Sequence, residues 1–119
     1  MSLQIKRIHD PVIESDGKRI LIDRLWPADI TPHEAEMHSW YKDVAPSEDL
    51  LNWYGDDPAK FDEYKNKYIS ELDGNALVQA EITQIREMCK NDHVTLLHAA
   101  KDPVLNNAAI LKEYLESNM

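Results

Sequence analysis

Apolar and polar side chains alternate over residues 3–8, with Leu3 and Ile5 set against Gln4 and Lys6. That period of two is what a half-buried strand requires, and Asp10-Pro11 breaks it. A second segment, Arg19-Ile20-Leu21-Ile22-Asp23-Arg24-Leu25-Trp26-Pro27, carries three consecutive apolar residues between Gly17 and Pro27 and then a charged pair and an aromatic. It reads as a central strand that delivers polar groups to a sheet edge. Val94-Thr95-Leu96-Leu97 reads as a third, short and buried strand. The link over residues 11–18 holds the turn signal Asp16-Gly17 and is short for a helical crossover, so the order of the first two strands stays open.

The chain between the second and third strands has helical periodicity and punctuation. Thr31-Pro32-His33-Glu34 places a capping hydroxyl, a proline at the first helical position and an acid three residues after the cap. The helix expected there carries Ala35, Met37, Trp40 and Tyr41 and stops before Pro46. Ser47 caps a short helix running to Gly55, with Glu48 and Asp49 near its positive end. Asp57-Pro58 opens another, whose Phe61, Tyr64, Tyr68 and Leu72 share a face and which Gly74 ends. Asn75 caps the next, with the stripe Val78, Ile82, Ile85 and Cys89 and an end near Asn91. Asp102-Pro103 is expected to open the last helix, with Leu111, Tyr114 and Leu115 inward.

Strands interleaved with helices predict an α/β fold: a small, mostly parallel sheet of about three core strands, layered with helices, in a single domain over residues 1–119. At 119 residues the chain suffices for one core. In open parallel sheets ligands bind beyond the carboxyl ends of the strands, which directs attention to His9-Asp10, to residues 23–26 and to residues 98–102.

Composition narrows the function classes. Thirteen Lys and Arg against 22 Asp and Glu give a formal charge of −9, which disfavours nucleic-acid binding by counterion release and with it a DNA-binding regulator. No run approaches the length of a membrane span, and residues 1–6 lack a secretory apolar core, so a cytoplasmic protein away from membranes is expected. The single Cys89 permits no internal disulfide and is expected to be a buried, inert thiol. His9, His33, His38 and His93 lack the i, i+4 spacing of helical metal ligands, so neither metal nor cofactor is assigned. The oligomeric state is not legible.

Asp23-Arg24-Leu25-Trp26-Pro27, Ala45-Pro46-Ser47, Leu96-Leu97-His98-Ala99-Ala100-Lys101-Asp102 and residues 106–111 together resemble the YeaO-like family of small bacterial proteins, in order and over nearly the whole chain. The resemblance implies an α/β fold and relatives mostly described as of unknown function. This chain departs from the family pattern at Ala28-Asp29 in place of Arg-Gly, at Asp56 in place of a histidine before Asp-Pro, and at Asn107 in place of a histidine. Each departure removes a cation or an imidazole.

The candidate site is a pocket for a small anionic ligand formed by Arg7, Arg24 and Lys101 and bounded by Trp26, with His98 and Asn106 at the same edge. Arg24 offers a planar fork to carboxylate or phosphate, or else a structural ion pair. Lys101 immediately precedes an expected helix start, where the helical positive end already favours anions. His98 is the proton-transfer candidate by position and intrinsic pKa, or a packed, hydrogen-bonded histidine. Asn106 reaches the edge or caps a loop. Ser47 reads as a cap, lacking a nucleophile elbow. No residue is assigned to catalysis. The rival reading is a non-enzymatic interaction module presenting Trp26, Trp40 and Trp53.

Overall fold

The computed structural model describes residues 2–117. Four strands, β1 (Leu3–Arg7), β2 (Lys18–Leu21), β3 (Ser39–Trp40) and β4 (Val94–His98), form one sheet in the order β1-β4-β2-β3, every neighbouring pair parallel. Five helices accompany them: α1 (Pro32–Ala35), α2 (Glu48–Tyr54), α3 (Phe61–Asp73), α4 (Ala76–Asn91) and α5 (Asn107–Glu116). The first two strands are therefore parallel without being neighbours, and β4 fills the slot between them. The link need only pass one strand, which a 3-10 turn over Glu14–Asp16 and Gly17 accomplish. Gly17 has φ +64, and a Cβ there would lie 2.1 Å from the His93 carbonyl oxygen. That carbonyl accepts the Lys18 N–H at 2.8 Å, the first rung between β2 and β4.

Because β4 is paired on both edges and covered on both faces, all five of its residues are buried. Leu96 and Val94, with Ile20, Ile22 and Leu3, meet the helical layer. Tyr64, Tyr68 and Leu72 of α3, Val78, Ile82, Ile85 and Cys89 of α4, and Ile110, Leu111 and Leu115 of α5 fill that side. The stripes expected on α3 and α4 are thus the core stripes, each large apolar side chain contributing about 1.5 to 3 kcal/mol by leaving water. The opposite face carries a smaller cluster of Ile8, Leu21, Ala35 and Leu97, against which Trp26, Ile30 and Met37 pack. On that face Asp16 is fully buried, bonded by Lys6 Nζ at 2.9 Å and Arg19 Nη1 at 2.6 Å.

Two expectations are corrected. The helix begun at Thr31 has its full capping box but ends at Ala35, where Glu36 turns left-handed at φ 45. Residues 38–41 instead pair with the open edge of β2, the His38 and Tyr41 N–H groups donating to the Arg19 and Leu21 carbonyls. Satisfying that edge outweighs continuing a one-turn helix, and Trp40 is a strand residue. The last helix begins at Asn107, not at Asp102. Asp102 Oδ1 accepts the Val104 and Leu105 N–H groups and holds the chain in a turn, while Asn106 is the true N-cap, its side chain accepting from Ala109 N. Ser47 and Asn75 cap α2 and α4 as expected.

Candidate functional site

The carboxyl ends of the strands, the start of α5 and the end of α2 enclose a cavity of about 350 Å³ lined by Asp23, Arg24, Trp26, Tyr54, Asp56, Tyr64, Asn106 and Asn107, among others. A second cavity, of about 400 Å³, shares Tyr54, Asp56, Ala99, Ala100 and Leu105 and adds Lys101 and Asp102. Volumes of this size lie at the small end of those used for small molecules.

Asp23 ties the edge together. Its Oδ2 accepts the Ala99 N–H and its Oδ1 accepts Asn107 Nδ2, both at 2.9 Å, while its carbonyl accepts Trp40 Nε1 at 2.7 Å. One residue just beyond β2 thereby fastens the ends of β3 and β4 and the start of α5. Arg24 is fixed from behind: Nε donates to the Pro46 carbonyl at 3.0 Å and Nη2 to the Ala45 carbonyl at 3.2 Å. The guanidinium holds the 45–46 bend in the role of a structural donor, and Nη1 has no partner among the described residues. Trp26 forms the wall, its Nε1 donating to the Ile30 carbonyl at 2.6 Å and its ring meeting Trp40 edge-on at 5.7 Å.

Asn106, 2% exposed, lines the cavity, but its amide is engaged on both sides, accepting from Ala109 N and donating to the Asp102 carbonyl. Lys101 is exposed on the second cavity. Arg7 and His98 are partners in the β1–β4 register and line neither cavity. The Arg7 Nε is buried without a hydrogen-bond partner among the described residues. His98, 2% exposed, accepts the Ala100 N–H on Nδ1, which leaves its proton on Nε2. Burial pushes its pKa below the ordinary imidazole value, with Arg7 in the same direction and Asp23 and Asp10 opposing. The six expected site residues are thus divided: Arg24, Trp26 and Asn106 on one cavity, Lys101 on its neighbour, Arg7 and His98 behind the edge.

Tyr54 and Tyr64 were legible only as packing residues, yet both reach the cavity. Their rings stack at 4.0 Å with planes 7° apart, and they are 6% and 2% exposed. Neither hydroxyl has a hydrogen-bond partner among the described residues. Burial raises both phenol pKa values, with neighbouring carboxylates adding to the effect, so both stay protonated. The available signal was tyrosine in place of phenylalanine at Tyr64 on the apolar stripe of α3, since the hydroxyl of a buried ring needs a partner.

The profile of the family described as the inactive DUF488-N3 subclade matches residues 2–119. The uncharacterised protein YeaO of Escherichia coli (strain K12) is 33% identical over 117 residues, covering 98% of this chain and 99% of that protein. This chain belongs to the YeaO-like family. The uncharacterised protein Rv3073c of Mycobacterium tuberculosis (strain H37Rv) is 32% identical over 113 residues, 95% of this chain and 92% of the relative. No solved structure matches the chain. Asp56 and Asn107, two of the positions singled out in the sequence of this YeaO-like chain, line the main cavity, and Asn107 supplies the donor to Asp23. Among the described residues no group of three or more His, Cys, Asp or Glu is placed to hold a metal ion, and no helix is long and apolar enough to cross a membrane.

Proposed function

We propose that this YeaO-like chain is a cytoplasmic small-ligand-binding protein that receives an anionic group on Arg24 at the carboxyl ends of its strands, with Lys101 serving the adjoining cavity. The observation that carries the reading is the immobilised guanidinium: two of its N–H groups are spent on the Ala45 and Pro46 carbonyls, and the remainder borders an open cavity. A pre-positioned donor fork loses little side-chain freedom when a carboxylate or phosphate arrives. Arg7 and His98 support the edge from behind. The family's printed description as inactive favours binding over catalysis. The interaction-module reading draws less support. Trp26 and Trp53 are half-buried, Trp40 is 38% exposed, and both Trp26 and Trp40 spend their indole N–H on backbone carbonyls.

Thermal melts with added inorganic phosphate test the proposal. A ligand at 100 times its Kd adds about 2.7 kcal/mol to the folded state, which is roughly 10 °C for a protein of this size. Arg24→Gln melts lower than the parent because it loosens the 45–46 bend, so the quantity to read is the shift on adding phosphate. That shift is expected to vanish in Arg24→Gln and to shrink in Lys101→Ala. Equal shifts in parent and Arg24→Gln refute the assignment.

A further inference from the structure

The cavity that holds Arg24 has an opposite pole. Asp56 lines both cavities, is exposed, and has neither an ion-pair nor a hydrogen-bond partner among the described residues. Asp23 stands on the same lining with each carboxylate oxygen engaged once, which leaves acceptor capacity on both. The same lining carries Tyr54 and Tyr64, 6% and 2% exposed, whose hydroxyls have no hydrogen-bond partner among the described residues. Hydroxyls on buried rings nearly always find a partner in protein or water, and both of these residues line the cavity. Neutral phenols beside the two acids add acceptor lone pairs without adding a competing cation.

The lining therefore offers two carboxylates against one guanidinium. A purely anionic ligand would satisfy Arg24 while facing uncompensated negative charge on the same lining, and like charges in a partly enclosed space repel. A purely cationic ligand would leave the fixed guanidinium opposed.

We propose that the cavity takes a dipolar ligand, one end a carboxylate or phosphate on Arg24 and the other a protonated amine received by Asp56 together with the Tyr54 and Tyr64 hydroxyl oxygens. This rests on the reading of Arg24 given above and adds the second pole. Asp56 is then a specificity-determining residue: its carboxylate separates amine-bearing anions from plain ones. Tyr64 is a positioning residue for the same amine, because its stacked ring fixes the hydroxyl while Asp56 supplies the charge.

The test is a titration of isotopically labelled full-length protein with three probes of matched length, 4-aminobutanoate, butanoate and butylammonium, followed by amide and arginine Nε shifts. In the parent, 4-aminobutanoate is expected to bind at least tenfold more tightly than either single-charge probe. Asp56→Asn is expected to remove that advantage and, by lifting the repulsion, to tighten butanoate, whereas Arg24→Gln weakens butanoate and 4-aminobutanoate alike. Tyr64→Phe, which keeps the ring stack, is expected to weaken 4-aminobutanoate only. If butanoate binds the parent as tightly as 4-aminobutanoate, or if Asp56→Asn leaves their ratio unchanged, the dipolar inference is overturned and the anion-binding reading survives. If 4-aminobutanoate and butanoate both leave the cavity resonances unmoved, the two fall together. If butylammonium alone matches 4-aminobutanoate and Arg24→Gln is silent, the cavity is a cation site and both assignments are overturned.

Discussion

Asn106→Ala isolates what holds the cavity's floor at the start of α5. In the folded protein Asn106 is 2% exposed; its Oδ1 accepts the Ala109 N–H at 2.8 Å and its Nδ2 donates to the Asp102 carbonyl at 2.9 Å. Alanine removes both bonds. Loss of an N-cap costs about 0.5 to 2 kcal/mol, and loss of the donor to a part-buried carbonyl adds about 0.5 to 1.5 kcal/mol. A total of about 1 to 3.5 kcal/mol lowers the melting temperature of a domain of this size by roughly 4 to 14 °C. Asn106→Ser, which keeps a capping oxygen, is expected to recover part of the loss, and Asp102→Ala to cost less than Asn106→Ala because its carboxylate stabilises only the exposed turn ahead of the helix. Circular dichroism melts of the three variants decide it. If Asn106→Ala melts with the parent and Asp102→Ala melts well below it, the helix begins at Asp102 in solution and the assignment of the cap is wrong.

Other consequences follow from particular contacts. Gly17→Ala is expected to be severely destabilising, since the left-handed conformation alone costs a side chain about 1 to 2 kcal/mol and the new methyl collides with the His93 carbonyl at 2.1 Å; a melt within a few degrees of the parent would refute the β2–β4 entry described. Cys89, 3% exposed and with its thiol pKa pushed up by burial, should react with a thiol reagent only as the protein unfolds, so rapid labelling of the native protein counts against its place on α4. The Asp16 carboxyl, although burial alone would raise its pKa, is held below the ordinary 3.8 by the bonds from Lys6, the Ile13 N–H and Arg19. Its unfolded form takes up protons first as pH falls, so its stabilisation is present above 3.8 and lost as pH drops through the lower folded value. Asp16→Asn should flatten that acid limb of the stability curve, and an unchanged limb refutes the linkage. Asp56, left-handed at φ 55, should gain stability as Asp56→Gly while losing discrimination for an amine, read as a higher melt of the empty protein.

Features governed by neighbours within a turn or two were legible from the chain alone. The stripe from Val78 to Cys89 is the buried face of α4, and Ser47 and Asn75 cap the helices they precede. The three apolar runs are strands of a parallel sheet. Each of these depends on local periodicity or on a side chain meeting a backbone group a few residues away, and both are written in the order of residues. The resemblance carried by residues 23–27 and 96–102 likewise stood in the sequence, and the family match over residues 2–119 agrees with it.

What joined distant segments was not written that way. Ser39–Trp40 became a strand because β2 had an unpaired edge, a property of the assembled sheet that no two-residue signal announces. The proline after Asp102 has the form of a helix start, but the chain satisfied Val104 and Leu105 on Asp102 and spent Asn106 on the cap, a choice set by where α5 must dock against β1 and β4. The cavity itself depends on Asp23 reaching Ala99, 76 positions away, and on Tyr54 and Tyr64 stacking on the lining that Asp56 shares. A tyrosine on an apolar stripe declares that its ring is buried. Only the packed helices decide which open space its hydroxyl meets, because that space is bounded by segments whose positions the sheet order fixes.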